Sequence, residues 1–166
     1  MELMIVKDVL EKIRGVFHSL PVMKQLPMRS PAAKVGGLFY FGRMLDKIRA
    51  QANAELPAEY QPNLGRGFDK WCVDLLEIDY ELLVRRVLKD GSDDEILQWA
   101  FEHGRRPTEN DIWFWNEFMR KRGWCDDITE VLQRRKEEAG MGNRSEIETM
   151  FAFIDADEGR PFPNAV

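Results

Sequence analysis

Apolar residues return along this chain at helical spacing. Leu3, Val6, Leu10, Ile13, Phe17 and Leu20 follow one another at intervals of three and four residues, which lines one face of a helix with a heptad-like stripe. Pro21, Pro27 and Pro31 then break the pattern, because each removes a backbone donor and restricts the residue before it. Residues between the first and last of these prolines read as a linker. Ser30 and Pro31 form an N-cap and first-turn pair, from which a second helix is expected to run through Gly36 and Gly37 to about Glu55. Pro57 to Gly67 has the proline, glycine and asparagine content of an irregular loop.

Beyond Gly67 a cap, an apolar stripe and a glycine stop recur. Phe68 to Ile78 carries Trp71, Cys72, Leu75 and Leu76, and Asp79 can cap YELLVRRVLKD, which Gly91 ends. Ser92 with Glu95 makes a capping box before ILQWAFEH, closed by Gly104, and Thr108 with Asp111 opens ENDIWFWNEFMRKR, closed by Gly123. Asp126 or Asp127 is expected to cap ITEVLQRRKEEA, and Asn143 with Glu146 to cap SEIETMFAFIDAD. No period-two run interrupts these segments. The pattern predicts an all-α protein, a single-domain helical bundle of about seven to eight helices with little or no strand. Its expected parts are an amphipathic helix and proline-containing linker over 1–26, a helical domain over 27–160 and a tail over 161–166.

Composition agrees with a folded core. The 166 residues are 44% hydrophobic, 32% charged and 11% aromatic, far from a disordered composition. Net charge is −5, which disfavours a general nucleic-acid partner because phosphate neutralisation needs a basic surface. The charge is uneven, with nine Lys/Arg against four Asp/Glu in residues 1–50 and an acidic remainder. A basic entry segment packed on an acidic body explains that asymmetry, and an anion-binding face would explain it too. Cys72 and Cys125 form no CxxC pattern, so a reducing compartment is expected. The charged residues of MELMIVKDVLEKIR interrupt any signal-peptide core, and no run of about 18 apolar residues occurs, so the expected location is cytoplasmic, with no membrane partner.

Several ordered blocks carry a family resemblance. Arg29-Ser30-Pro31, Gly36-Gly37 and the run Gly42 to Ala50 (GRMLDKIRA) resemble the opening block of the bacterial domain-of-unknown-function family numbered 5069. Trp115 to Met119 (WNEFM), Lys121 to Trp124 (KRGW) and Phe153 to Arg160 (FIDADEGR) are similar to its later blocks, so the resemblance spans about Pro27 to Arg160. It implies one helical domain of bacterial type, and no particular reaction, substrate or cofactor. The stripe from Leu3 to Leu20 lies outside it.

Candidate chemistry centres on the second helix. Projected at 100° per residue, Gly37, Leu38, Phe41, Met44, Leu45, Ile48 and Ala52 share an apolar face, while Gly36, Phe39, Tyr40, Arg43, Asp46, Lys47 and Ala50 fall opposite. If the second face is buried, its cations pair with the acidic body; if it is open, Arg43 and Lys47 can hold an anion on which Tyr40 stacks. The candidate ligand-binding set is therefore Arg29, Tyr40, Arg43, Asp46, Lys47 and Arg49, joined by Asp155, Asp157 and Arg160. Those last carboxylates oppose the helix dipole where they stand and so call for cationic partners such as Arg43, Arg49 or Arg29.

Other motifs fail chemically. Gly37-x4-Gly42-Arg43-Met44 lacks both the lysine and the hydroxyl of a phosphate loop, and Asp155-x-Asp157-x-Gly159 lacks the glycine and glutamate positions of a calcium loop. His18 and His103 lack metal-ligand spacing, so no metal site and no cofactor are expected. In the helix around Trp115, the positions Asp111, Phe114, Trp115, Phe118, Met119 and Arg122 share a face expected to be core, which leaves Trp113 as a candidate exposed aromatic. Leu3, Val6, Leu10, Ile13, Phe17 and Trp113 are accordingly the candidate interface. Two functions fit: a cytoplasmic helical domain that binds a protein partner or forms a homo-oligomer, and a small enzyme or ligand-binding protein acting on an anionic small molecule through the Arg/Asp/Lys set.

Overall fold

In the computed structural model, which describes residues 26–161, side-chain caps set the start of four of seven α-helices. The helices are α1 (Phe41–Ala52), α2 (Phe68–Leu76), α3 (Tyr80–Val87), α4 (Asp93–His103), α5 (Glu109–Lys121), α6 (Thr129–Glu138) and α7 (Met150–Asp157), with a 3-10 turn at Gln61–Asn63. Asp79 caps α3, and complete capping boxes open α4 at Ser92 with Glu95 and α5 at Thr108 with Asp111. The expected all-α class holds, and no strand forms among the described residues. The stripe residues Leu3, Val6, Leu10, Ile13 and Phe17, and His18, lie outside them.

Three helix starts differ from expectation. Ser30 does not cap a helix: its hydroxyl accepts from the Ala32 amide at 3.1 Å and donates to Asp155 at 2.7 Å. Gly36 and Gly37, both at positive φ, instead make a tight two-residue turn, closed by reciprocal Val35 and Leu38 hydrogen bonds of 3.0 and 3.1 Å. Helix α1 therefore starts at Phe41, after Tyr40 in the left-handed region at φ 71°. Asp126 does not cap α6 but closes the preceding turn through the amides of Gly123 and Ile128. Helix α7 is capped by Thr149 rather than Asn143, with the Thr149 hydroxyl accepting from the Ala152 amide.

Helix α1 is the centre of the protein. Its Phe41, Met44, Leu45 and Ile48 pack against Cys72 and Leu76 of α2, Leu83 and Val87 of α3, Ile96, Leu97 and Ala100 of α4, and Trp115 and Met119 of α5. Each Val, Leu, Ile, Phe or Met side chain among them contributes about 1.5–3 kcal/mol when fully buried. A second cluster, around Leu132, Ile147, Met150 and Phe153, joins α6 to α7. Residues 26–31 run antiparallel to α1, with Met28 against Ala50 and Leu56 at its C-terminal end and the Pro31 carbonyl accepting from Tyr40 at its start. This strap brings Arg29 onto the helix. Gly42 permits the approach, because a Cβ there would sit 2.7 Å from Arg29 Nη1 and 2.9 Å from Val35 Cγ2.

Candidate functional site

The polar side of α1 is closed over by carboxylates from three other parts of the chain. At its outer edge Arg29 donates to both oxygens of Asp46 at 2.6 Å, and its remaining nitrogen lies 2.6 Å from Asp93. Arg49 meets the other Asp93 oxygen at 2.7 Å. Two guanidinium groups and two carboxylates thus form a balanced set at the junction of strap, α1 and α4. The Asp46 hydrogen bond, against an opposing desolvation effect, raises the Arg29 pKa. Desolvation pushes the Asp93 carboxyl up, but the hydrogen bonds from Arg49 and Arg29 hold it below its ordinary value.

Arg43 and Lys47 lie deeper, at 2% and 3% exposure. Arg43 forms a two-pronged pair with Glu158, one arm at 2.9 Å, and donates to the Arg29 carbonyl at 2.7 Å. Arg160 joins Glu158, Asp155 and the Met28 carbonyl, and the Tyr60 hydroxyl donates to Glu158 at 2.7 Å. Burial opposes the charged form of both Arg43 and Glu158, yet their mutual hydrogen bonding and attraction win, raising the first pKa and lowering the second. Asp157 is exposed and acts electrostatically on the Tyr60 phenol.

One turn further along α1, Lys47 Nζ lies 2.5 Å from Asp69 Oδ1 and donates to the Tyr40 hydroxyl at 3.0 Å. That hydroxyl in turn donates to Asp69 at 2.9 Å, and the Gly65 amide satisfies the second Asp69 oxygen at 3.0 Å. Burial lowers the Lys47 pKa despite Asp69, and raises those of Tyr40 and the neighbouring Cys72 thiol. Tyr40 stacks on protein, with Phe68 edge-on at 5.3 Å between ring centres. An anion approaching Arg43 would have to displace a bidentate carboxylate, and one approaching Lys47 a buried aspartate.

Structure thus gathers Arg29, Tyr40, Arg43, Asp46, Lys47, Arg49, Asp155 and Arg160 around one strap and one helix. It also supplies three partners that sequence reasoning did not name: Asp69, Glu158 and Tyr60. Asp69 had a signal, since it stands on the same helical stripe as Cys72 and Leu76, where a carboxylate must be paired. Glu158 continues the Phe151 and Asp155 stripe of α7. Tyr60 lies in a loop and offered no periodic clue.

The face of α5 presents the opposite chemistry. Trp115 and Met119 are buried, and Trp115 Nε1 donates to the Phe39 carbonyl at 3.0 Å. Asn116 clasps the glycine turn, accepting from Phe39 at 2.9 Å and donating to the Gly37 carbonyl at 2.8 Å. These contacts fix the helix rotation, and they turn Phe114 and Phe118 outward. Both were expected in the core, yet they are 64% and 45% exposed, beside Trp113 at 59%. Trp113 and Phe114 meet edge to face at 5.0 Å, and Phe118 lies 5.5 Å from the Trp71 ring. Arg122 stacks over both Trp71 and Phe118, at 4.8 and 5.1 Å, while Asp126 and Asp127 hold its tip. Trp124 is also exposed.

Elsewhere an open depression between α3 and α4 is lined by Arg86, Asp94, Glu95, Gln98, Trp99 and Glu102. Among the described residues no group of three His, Cys, Asp or Glu is placed to hold a metal ion, and no helix is long and apolar enough to cross a membrane. The model of a family described as a domain of unknown function, DUF5069, matches residues 25–160, and the chain belongs to that family. No curated protein matches the chain.

Proposed function

We propose that the protein is a cytoplasmic helical interaction domain that associates with a second copy of itself through the aromatic face of α5. One observation carries this reading: Trp113, Phe114 and Phe118 stand together on one helix with about half or more of their surface uncovered. Exposed aromatic clusters of this kind mark protein interaction sites, where Trp and Phe bury large area at small entropic cost. A second copy is the natural occupant because the chain carries another apolar surface, the Leu3 to Leu20 stripe, which is too short to persist as a helix by itself. The cytoplasm suits two free thiols, one of them exposed.

The alternative, binding of an anionic metabolite by Arg29, Tyr40, Arg43, Asp46, Lys47, Arg49, Asp155, Asp157 and Arg160, has less support. Every one of those cations is paired with a carboxylate of the chain. Light scattering over a concentration series tests the leading reading. The full chain is expected to dimerise and Phe114→Asp to remain a monomer with an unchanged helical circular-dichroism signal; a dimer that survives Phe114→Asp removes α5 as the docking surface.

A further inference from the structure

Resting on the α5 docking reading, we propose that the surface seated on that face is the apolar stripe Leu3, Val6, Leu10, Ile13 and Phe17 of the second copy, so that two chains exchange their N-terminal segments. Phe114 and Phe118 are one turn apart with Trp113 beside them, and Trp71 extends the face laterally. Anchors recurring every three and four residues are what such a face receives when a helix lies in an aromatic groove. Each chain owns one stripe and one face, so a two-fold pair satisfies both contacts at once.

Where the described chain starts favours exchange over self-covering. Leu26 packs near Ala50 and Leu56 at the C-terminal end of α1, whereas α5 grips Gly37 and Phe39 before its start. Those ends are separated by twelve helical residues, about 18 Å. The five residues Pro21 to Gln25 span at most about 17 Å when fully extended. A chain covering its own face would spend that entire connection on the distance alone before the stripe began. A second copy meets no such restraint.

Complementation between two full-length variants tests this. Leu10→Asp/Ile13→Asp spoils the stripe, and Phe114→Asp, with Trp113→Asp as an independent second choice, spoils the face. Each variant alone is expected to be monomeric by light scattering, and a one-to-one mixture to form a heterodimer at least tenfold weaker than the wild-type dimer, because one contact of two survives. A stripe variant that still dimerises while Phe114→Asp does not would overturn the exchange and leave the α5 reading standing. A dimer retained in both variants, or a wild-type monomer whose tryptophan emission responds to neither, would remove both readings. A wild-type monomer whose emission shifts to the red in Leu10→Asp/Ile13→Asp would show the stripe on its own chain's face, which also overturns the exchange.

Discussion

The charged side of α1 and the aromatic face of α5 reverse the usual placement of polar and apolar groups. Arg43 and Lys47 lie in the interior, each with a carboxylate, while Trp113, Phe114 and Phe118 face outward. Residue type alone would assign a ligand to the first and a core to the second. Their partners decide otherwise: α1 is enclosed by the strap, α2, α3, α4, α5 and α7, whereas α5 leaves Trp113, Phe114 and Phe118 uncovered. A cation-rich helix can thus be structural, and an aromatic one can be the surface where further association happens.

Removing one member of a buried pair should produce the largest effect. Glu158→Ala leaves Arg43 enclosed with its charge uncompensated, and Asp69→Ala does the same to Lys47; each is expected to cost about 3–5 kcal/mol in urea unfolding. A loss below about 1 kcal/mol would mean that solvent reaches these groups and that the α1 side is not closed.

Acid should open the contacts of Glu158 and Asp93. Glu158 and Asp93 are held below their ordinary carboxyl values of 4.5 and 3.8, so their stabilisation is complete above those values and is lost as pH falls through the depressed ones. The melting temperature is expected to drop below about pH 4.5, with a shallower slope in Glu158→Gln. An unchanged slope in that variant would assign the acid sensitivity to other carboxylates.

Met119 and Phe114 sharpen the contrast within one helix. Met119→Ala removes a buried side chain and is expected to cost about 2–5 kcal/mol. Phe114→Ala should change the unfolding free energy of the monomer by less than about 0.5 kcal/mol while weakening self-association. Comparable losses at both positions in the isolated monomer would place Phe114 in the core after all.

The smallest effect belongs to the rim of the charged side. Arg29→Ala breaks a partly exposed set in which Arg49 still serves Asp93, and about 0.2–1 kcal/mol is expected from unfolding curves. A thermal-shift screen of anionic metabolites against wild type and Arg43→Ala should reveal no ligand whose stabilisation depends on Arg43. Finding one would return the α1 side to consideration as a binding site.

Helix existence was legible because its signals are local. Ser92 with Glu95 and Thr108 with Asp111 act across three residues, so the sequence contains the whole contact. Gly36 and Gly37 misled because they stood between a plausible cap and a helical stripe, yet two consecutive positive φ angles make a turn that helix periodicity does not describe. Of the candidate site, the cations were readable by type and their carboxylate partners only in part. Asp155 and Asp157 read as carboxylates needing cationic partners, with Arg160 in the same candidate set, while Glu158, which binds both Arg43 and Arg160, gives no such signal beside them.

By itself, then, the sequence determined an all-α chain, most of its helix boundaries and the presence of an excess of charge on α1, since all three follow from spacing within a few residues. Only tertiary structure decided that Arg43 meets Glu158 from 115 residues away, and that Asn116 and Trp115 rotate α5 so that Phe114 and Phe118 face outward. A helical stripe records which residues share a face. It does not record what, if anything, will cover that face, because coverage is settled by distant parts of the chain competing to bury the most apolar surface and to leave no charge unpaired.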